Sequence, residues 1–153
     1  MKLHLIGNST LMEREKTAFL ASRKAPPGAY AATLQWISTL SPVRDCILCG
    51  NHSPLEQETF RLLLAIRVPA ILFLAETFPS VWPQPLASAI AEGRVLAATH
   101  CDDTVHFATR QSAQDRNRVI LSLADRIVVG HCTAGGNIDR LTSGRPNVNI
   151  LSR

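Results

Sequence analysis

The sequence predicts an α/β protein, a three-layer α/β/α arrangement in which helices cover both faces of a mostly parallel sheet. Three observations carry this. Strand-like apolar runs alternate with helix-like segments along the whole chain, the order of βαβ units with right-handed crossovers. Ala70 to Leu74 is apolar without interruption, as expected of a parallel strand buried on both faces. Ser53-Pro54-Leu55-Glu56 follows directly on a strand-like run and is a helix-start signature. There Ser53 caps, Pro54 fits the first helical position, and Glu56 reaches back to the cap residue's backbone amide.

The elements follow in order. Lys2 to Ile6 reads as an edge strand or an extended lead-in. Thr17 to Ser22 is a firmer strand, running into Arg23-Lys24 and then Ala25-Pro26-Pro27-Gly28, which breaks regular structure. A helix fits Ala29 to Leu40, with Tyr30, Leu34 and Ile37 on one stripe. Asp45 to Gly50 is a strand and Asn51-His52 its exit turn. In the helix after Ser53, residues Leu55, Thr59, Leu62, Leu63 and Ile66 share one amphipathic face. After Ala70 to Leu74 come a proline-rich loop from Glu76 to Pro85, a helix from Gln84 to Glu92 stopped by Gly93, and a strand from Arg94 to Thr99. His100 to Gln111 is a polar connection. Ser112 and Asp115 are placed as a second capping box for a helix ending near Ala124. Asp125 to Gly130 is a strand, Cys132 to Gly136 a loop, and Asn147 to Leu151 a closing strand. The sum is a Rossmann-like layered sheet.

The bulk numbers narrow the function classes. The 153 residues suit one domain and one core, so 1–153 is expected to be a single domain. With 46% apolar and 18% charged residues, the chain is a folded protein, not a disordered tail. No apolar run approaches the ~20 residues of a membrane span, and the amino terminus lacks the apolar region of a signal peptide. A cytoplasmic address without membrane contact is expected. The formal net charge of +4 is compatible with a polyanionic partner and does not demand one.

In an open α/β sheet, ligands bind beyond the carboxyl ends of the strands. The strand exits Ser22-Arg23-Lys24, Gly50-Asn51-His52, His100-Cys101 and His131 to Gly136 therefore share one edge. Arg116 joins them through the helical wheel, where it falls between Val119, Ile120 and Leu123 on the core-facing stripe. Read in the first helical turn, its charge opposes the macrodipole and calls for an anion; a salt bridge to Asp115, Asp102 or Asp103 is the plainer alternative. Arg118 turns toward solvent. Gly135-Gly136 can expose backbone amides to a phosphate or can be only a turn. Cys49, His52, His100, Cys101, His131 and Cys132 lie near exits on that edge and could hold zinc or form a Cys–His pair. Buried cysteines acting as small apolar groups are the favoured reading, so no metal and no cofactor are expected. Cys46 and Cys49 face opposite sides of their strand and cannot chelate together. There is no G-x-G-x-x-G and no Walker lysine motif, which disfavours classical dinucleotide binding and P-loop hydrolysis.

Three stretches resemble the DNA-processing protein A (DprA, or Smf) family, within the wider superfamily that includes cytokinin-activating phosphoribohydrolases. Leu5-Ile6-Gly7-Asn8 with Leu11, leading into Phe19-Leu20-Ala21-Ser22-Arg23-Lys24, resembles the family's G-N-x-x-L lead and V-G-S-R-K strand end. Cys49 to Glu56 sits where the family has S-G-x-A-x-G-I-D. Arg116-Asn117-Arg118-Val119-Ile120 through Asp125 and Ile127-Val128-Val129 is similar to R-N-R-I-I-A-x-L-S-D and its following strand. The departures are Ala21 for the glycine before Ser-Arg-Lys, Pro54 for the second glycine of the middle motif, and Glu56 for its aspartate. The resemblance implies single-stranded DNA as partner, with a recombinase to load and a homodimer as further expectations. It puts Arg23, Lys24, Gly50, Arg116, Asn117 and Gly135 near a phosphate pocket. Ser22, Asn51, His52 and Gly136 complete the candidate set, and no catalytic residue is implied. Neither a SAM-like helical domain before this one nor a winged-helix domain after it is expected. A small-nucleotide sensor or phosphoribohydrolase is the alternative, although Ala134 to Asp139 lacks the hydrolases' P-G-G-x-G-T-x-x-E.

Overall fold

The computed structural model describes residues 2–153. Seven strands form one sheet in the order β1-β5-β4-β3-β2-β6-β7. They are β1 (His4–Gly7), β2 (Thr17–Ala21), β3 (Ile47–Cys49), β4 (Ala70–Leu74), β5 (Val95–Thr99), β6 (Arg126–His131) and β7 (Val148–Ile150). Every pairing is parallel except β1 with β5, so β1 is the antiparallel edge strand that the sequence left as one of two options. Five helices pack on the sheet: α1 (Pro27–Ile37), α2 (Pro54–Ala65), α3 (Leu86–Ala91), α4 (Arg110–Leu123) and α5 (Asn137–Thr142).

Period-2 alternation along the strands divides the core into two faces. Leu20, Leu48, Ile71, Phe73, Leu96 and Val129 pack with Val119 and Ile120 of α4 and Ile138 of α5. Phe19, Ile47, Leu72, Val95 and Val128 pack with Ala29 of α1, Leu55 and Leu63 of α2, and Ala89 of α3. This is the Rossmann-like three-layer arrangement expected. Cys46 and Cys49 lie on opposite faces, as their spacing requires. Among the described residues no helix is long and apolar enough to cross a membrane.

Several local expectations are corrected. Pro27 opens α1 instead of preceding it, because its fixed φ suits a first helical turn. The buried stripe of α1 is Ala29, Thr33 and Ile37, one register away from the Tyr30–Leu34 stripe; Leu34 is 57% exposed. In α2, Glu56, Phe60 and Leu64 are buried, while Ile66 lies on the surface. The cap of α4 is Thr109, whose hydroxyl accepts from the Ser112 amide, and Ser112 reciprocates from the third helical position. A hydroxyl at that position replaces the carboxylate of the usual box, which is why Ser112 itself looked like the cap. Arg116 consequently sits well past the first turn, and the helix dipole has no part in its environment. Finally, the segment after Gly136 contains α5 where the sequence showed only a connection.

Strand order positions the site. From β2 the chain runs outward through β3, β4 and β5, then returns to place β6 on the other side of β2. The connections leaving β2 and β6 therefore diverge, and the crevice between their carboxyl ends is the topological switch point of the sheet. A register shift at Leu20/Ala21 loosens the β2–β6 pairing there.

Candidate functional site

A cavity of about 640 Å³ opens at this switch point. The β2 exit contributes Ala21, Ser22, Arg23 and Lys24, and the start of α2 contributes His52, Ser53 and Glu56. Thr109, Arg110, Arg116 and Asn117 come from the cap and body of α4, while Thr133, Gly136 and Arg140 come from the β6 exit and α5. Two hydrogen bonds tie the divergent exits together: the Ser22 amide donates to the His131 carbonyl at 2.9 Å, and the Thr133 amide to Ser22 Oγ at 3.1 Å.

The mouth is cationic. Arg23, Lys24, Arg110 and Arg140 are exposed there. The salt bridges among the described residues involve other arginines. None of the four is thus neutralised by a carboxylate. Glu56 is the one carboxylate of the lining, and it lies at the base.

The base is polar and buried. Glu56, 3% exposed, accepts three backbone amides: His52 and Ser53 on Oε1 at 3.1 Å each, and Ala21 on Oε2 at 3.0 Å. The Ser53–Glu56 capping box is present as its spacing dictates. The Ala21 bond additionally staples the start of α2 to the end of β2. Arg116 is 2% exposed, which bears out its inward placement on the wheel. Its Nε donates to Asn117 Oδ1 at 2.8 Å, and Nη1 to the carbonyls of Gly50 at 3.2 Å and Phe73 at 3.5 Å. Burial holds its pKa below the ordinary guanidinium value, against the opposing pull of Glu56. The suggested aspartate partner is not used: Asp115 pairs with the exposed Arg118 at 3.2 Å. His52 is held below the ordinary imidazole value by burial first and by Arg116 second.

The structure thus brings Ser22, Arg23, Lys24, His52, Arg116, Asn117 and Gly136 together on one lining. Gly50, Asn51 and Gly135 are outside it. Gly50 lies beneath Arg116, where an added Cβ would stand 2.7 Å from the guanidinium carbon. It is the seat of the arginine. Asn51 takes the left-handed conformation of the turn, φ 50°. The glycine pair offers no free amides: Gly135 N–H donates to Asp139 Oδ2 and Gly136 N–H to the Thr133 carbonyl, both at 2.9 Å. Arg110, Gln114, Thr133 and Arg140 were not anticipated. Arg110 and Arg140 reach the mouth only because α4 begins early and α5 exists.

The soft-ligand grouping is not assembled; among the described residues no three of His, Cys, Asp and Glu stand together as a metal site. Burial pushes the Cys46 thiol up to about 11 and Cys49 further still. Cys101 Sγ lies 3.7 Å from His100 Nε2, its chain neighbour, and a single lowered imidazole beside a buried thiol is the extent of that pairing.

A layered α/β sheet with a cationic cavity at its switch point defines the class of Rossmann-like domain to which this fold belongs. Within that class, solved structures of DNA processing protein A share this fold. The Helicobacter pylori protein, in a structure concerning its single-stranded DNA binding mode, superposes with a TM-score of 0.77 at 16% identity, over 97% of this chain and 71% of that one. The X-ray structure of DprA from Streptococcus pneumoniae gives 0.77 at 17% identity, over 97% of this chain and 54% of that one. This chain therefore spans about half the length of the second. No protein-family model and no curated protein matches the sequence. The fold is DprA-like.

Proposed function

We propose that this chain is a DprA-like domain that binds single-stranded DNA in the cytoplasm through the switch-point cavity. The observation that carries this is the cluster of four unneutralised cations, Arg23, Lys24, Arg110 and Arg140, around one mouth. A strand offers phosphates in series, one for each of several cations around the mouth. The likeness in fold to the Helicobacter pylori protein, described as binding single-stranded DNA, supports the same reading. Phe107, 83% exposed and adjacent to the lining residue Ala108, gives the strand an aromatic face on which to stack. Ser22 and Thr133 add hydroxyl donors beside the phosphate track. Recombinase loading and self-association extend the proposal; exposed Leu5 and Ile6 on the β1 edge offer a surface for the latter.

The test is binding of a labelled single strand across a salt series. With four rim cations each neutralising a phosphate, log affinity should fall with log salt at a slope of about −3. Salt-independent binding, or none at low salt, rejects the reading.

A free nucleotide is the second reading. It is favoured by the cavity volume, which lies within the usual ~300–1,000 Å³ of small-molecule pockets. Thermal stabilisation by nucleotides without any response to strands would select it.

A further inference from the structure

We infer that a bound strand continues outside the cavity, across the loops that follow β4 and β5, and that Trp82 is a stacking residue there. This rests on the strand-binding reading and extends it. Phosphates are held at the mouth, and bases beyond the mouth are held on a surface that has no cations.

Chain connectivity brings that surface up to the rim. The loop from β5 to α4 ends on Ala108 and Thr109, which line the cavity, and Phe107 directly before them is 83% exposed. Two hydrogen bonds join this loop to the one after β4. The Thr77 amide donates to the Val105 carbonyl at 2.7 Å, and Thr99 Oγ1 donates to the Glu76 carbonyl at 2.7 Å. Phe78 follows Thr77 in the chain, and its ring meets Trp82 with centroids 5.6 Å apart and planes tilted by 56°. On the other loop, Phe107 lies just beyond Val105. Three aromatic rings therefore belong to one joined pair of loops that begins at the rim. Pro79, Pro83 and Pro85 restrict the second loop, so less freedom is lost when a ligand settles on it.

Burial and charge decide what the surface takes. Trp82 packs against the core on the side of α1, α2 and α3 and is still partly exposed, and Val81 beside it is 79% exposed. A ring supported from beneath and reachable from outside is a platform on which any base can stack. Residues 76–85 and 100–109 contain no lysine or arginine and carry Glu76, Asp102 and Asp103. Phosphates are repelled here and turn to solvent, which leaves the bases toward the rings. A basic protein segment would also suit the three acids. Continuity with the rim favours the strand, because a strand gripped at the mouth reaches Phe107 and its neighbours without a second encounter.

The test compares oligothymidylates of three and nine nucleotides on the unaltered chain, Trp82→Ala and Trp82→Phe. Trp82→Ala should weaken nine-nucleotide binding about tenfold, the scale of one stacked base. The factor should be the same at low and high salt, and Trp82→Phe should recover most of the loss. A loss that shrinks as salt rises overturns the inference. Emission gives a second arm that does not depend on removing the ring. The chain has two tryptophans, and Trp36 is stacked on Phe19. With Trp36→Phe, Trp82 emission should be quenched by the nine-nucleotide strand and much less by the three-nucleotide strand or by an abasic strand of nine. Salt-dependent binding that leaves Trp82 emission unmoved overturns the inference and assigns these loops to a protein partner. Binding of neither strand at low salt rejects the strand-binding reading, and this inference with it.

Discussion

The floor and the mouth of the cavity share α4 and obey opposite rules. At the floor every charge is held by the fold: Glu56 by three amides, Arg116 by two carbonyls and a carboxamide. At the mouth Arg23, Lys24 and Arg110 lie exposed, and Arg140 donates one bond, to the Gly135 carbonyl at 2.8 Å. The difference teaches how to separate stability from binding in this chain. Floor residues are part of the structure and are felt when it unfolds; mouth residues are felt only when something binds.

The hardest test of that division is Glu56→Ala. It strips the acceptor from three backbone amides, two of them buried, and leaves the Arg116 charge uncompensated. A loss of about 3–5 kcal/mol is expected in chemical denaturation, a large part of what holds a domain of this size together. A loss within experimental error would dissolve the distinction. Gly130→Ala comes next, at about 1–3 kcal/mol. Its Cβ would stand 2.6 Å from the Phe19 ring, which is fully buried and stacked on Trp36 at 5.3 Å. Gly50→Ala tests the floor through its buried arginine, because its Cβ would stand 2.7 Å from the Arg116 guanidinium carbon. Arg116 is held there by three hydrogen bonds, so its displacement should cost about 1–3 kcal/mol; an unchanged stability would show that the seat of Arg116 does not matter. Arg140→Ala at the mouth should change stability by no more than ~0.5 kcal/mol and flatten the salt slope by about one contact.

The smallest effect is pH dependence. His52, held below its ordinary value by burial and then by Arg116, is neutral in the folded chain at pH values where the unfolded chain has begun to charge it. The unfolded state binds more protons there, so stability should decline as pH falls from the ordinary imidazole value toward the depressed one. A phosphate at the mouth reverses that sign by favouring the charged ring. Strand affinity should therefore rise over the same interval, and His52→Gln should abolish the rise.

The floor was far more legible in the sequence than the mouth. Ser53, Pro54 and Glu56 announce a capping box through local spacing, and a wheel alone turns Arg116 inward; each signal is local to its own helix. Arg110 and Arg140 belong to residues 30 apart whose meeting depends on where α4 begins and on α5 being helical at all. The Thr109–Ser112 box hid the first, and a six-residue helix after a glycine pair hid the second. Gly135-Gly136 misled for a related reason. A glycine pair shows that backbone amides can approach something, whereas Asp139, four residues on, takes the amide that a phosphate would need.

The bond from the Ala21 amide to Glu56 has one more consequence. The register shift at Leu20/Ala21 releases that amide from the β2–β6 ladder, and a helix-capping carboxylate takes it up instead. The last rung of the sheet and the first turn of α2 are therefore joined through one bond. Hydrogen exchange at this single amide would report the local opening of the whole switch point, a probe of the cavity's rigidity that requires neither a ligand nor a substitution.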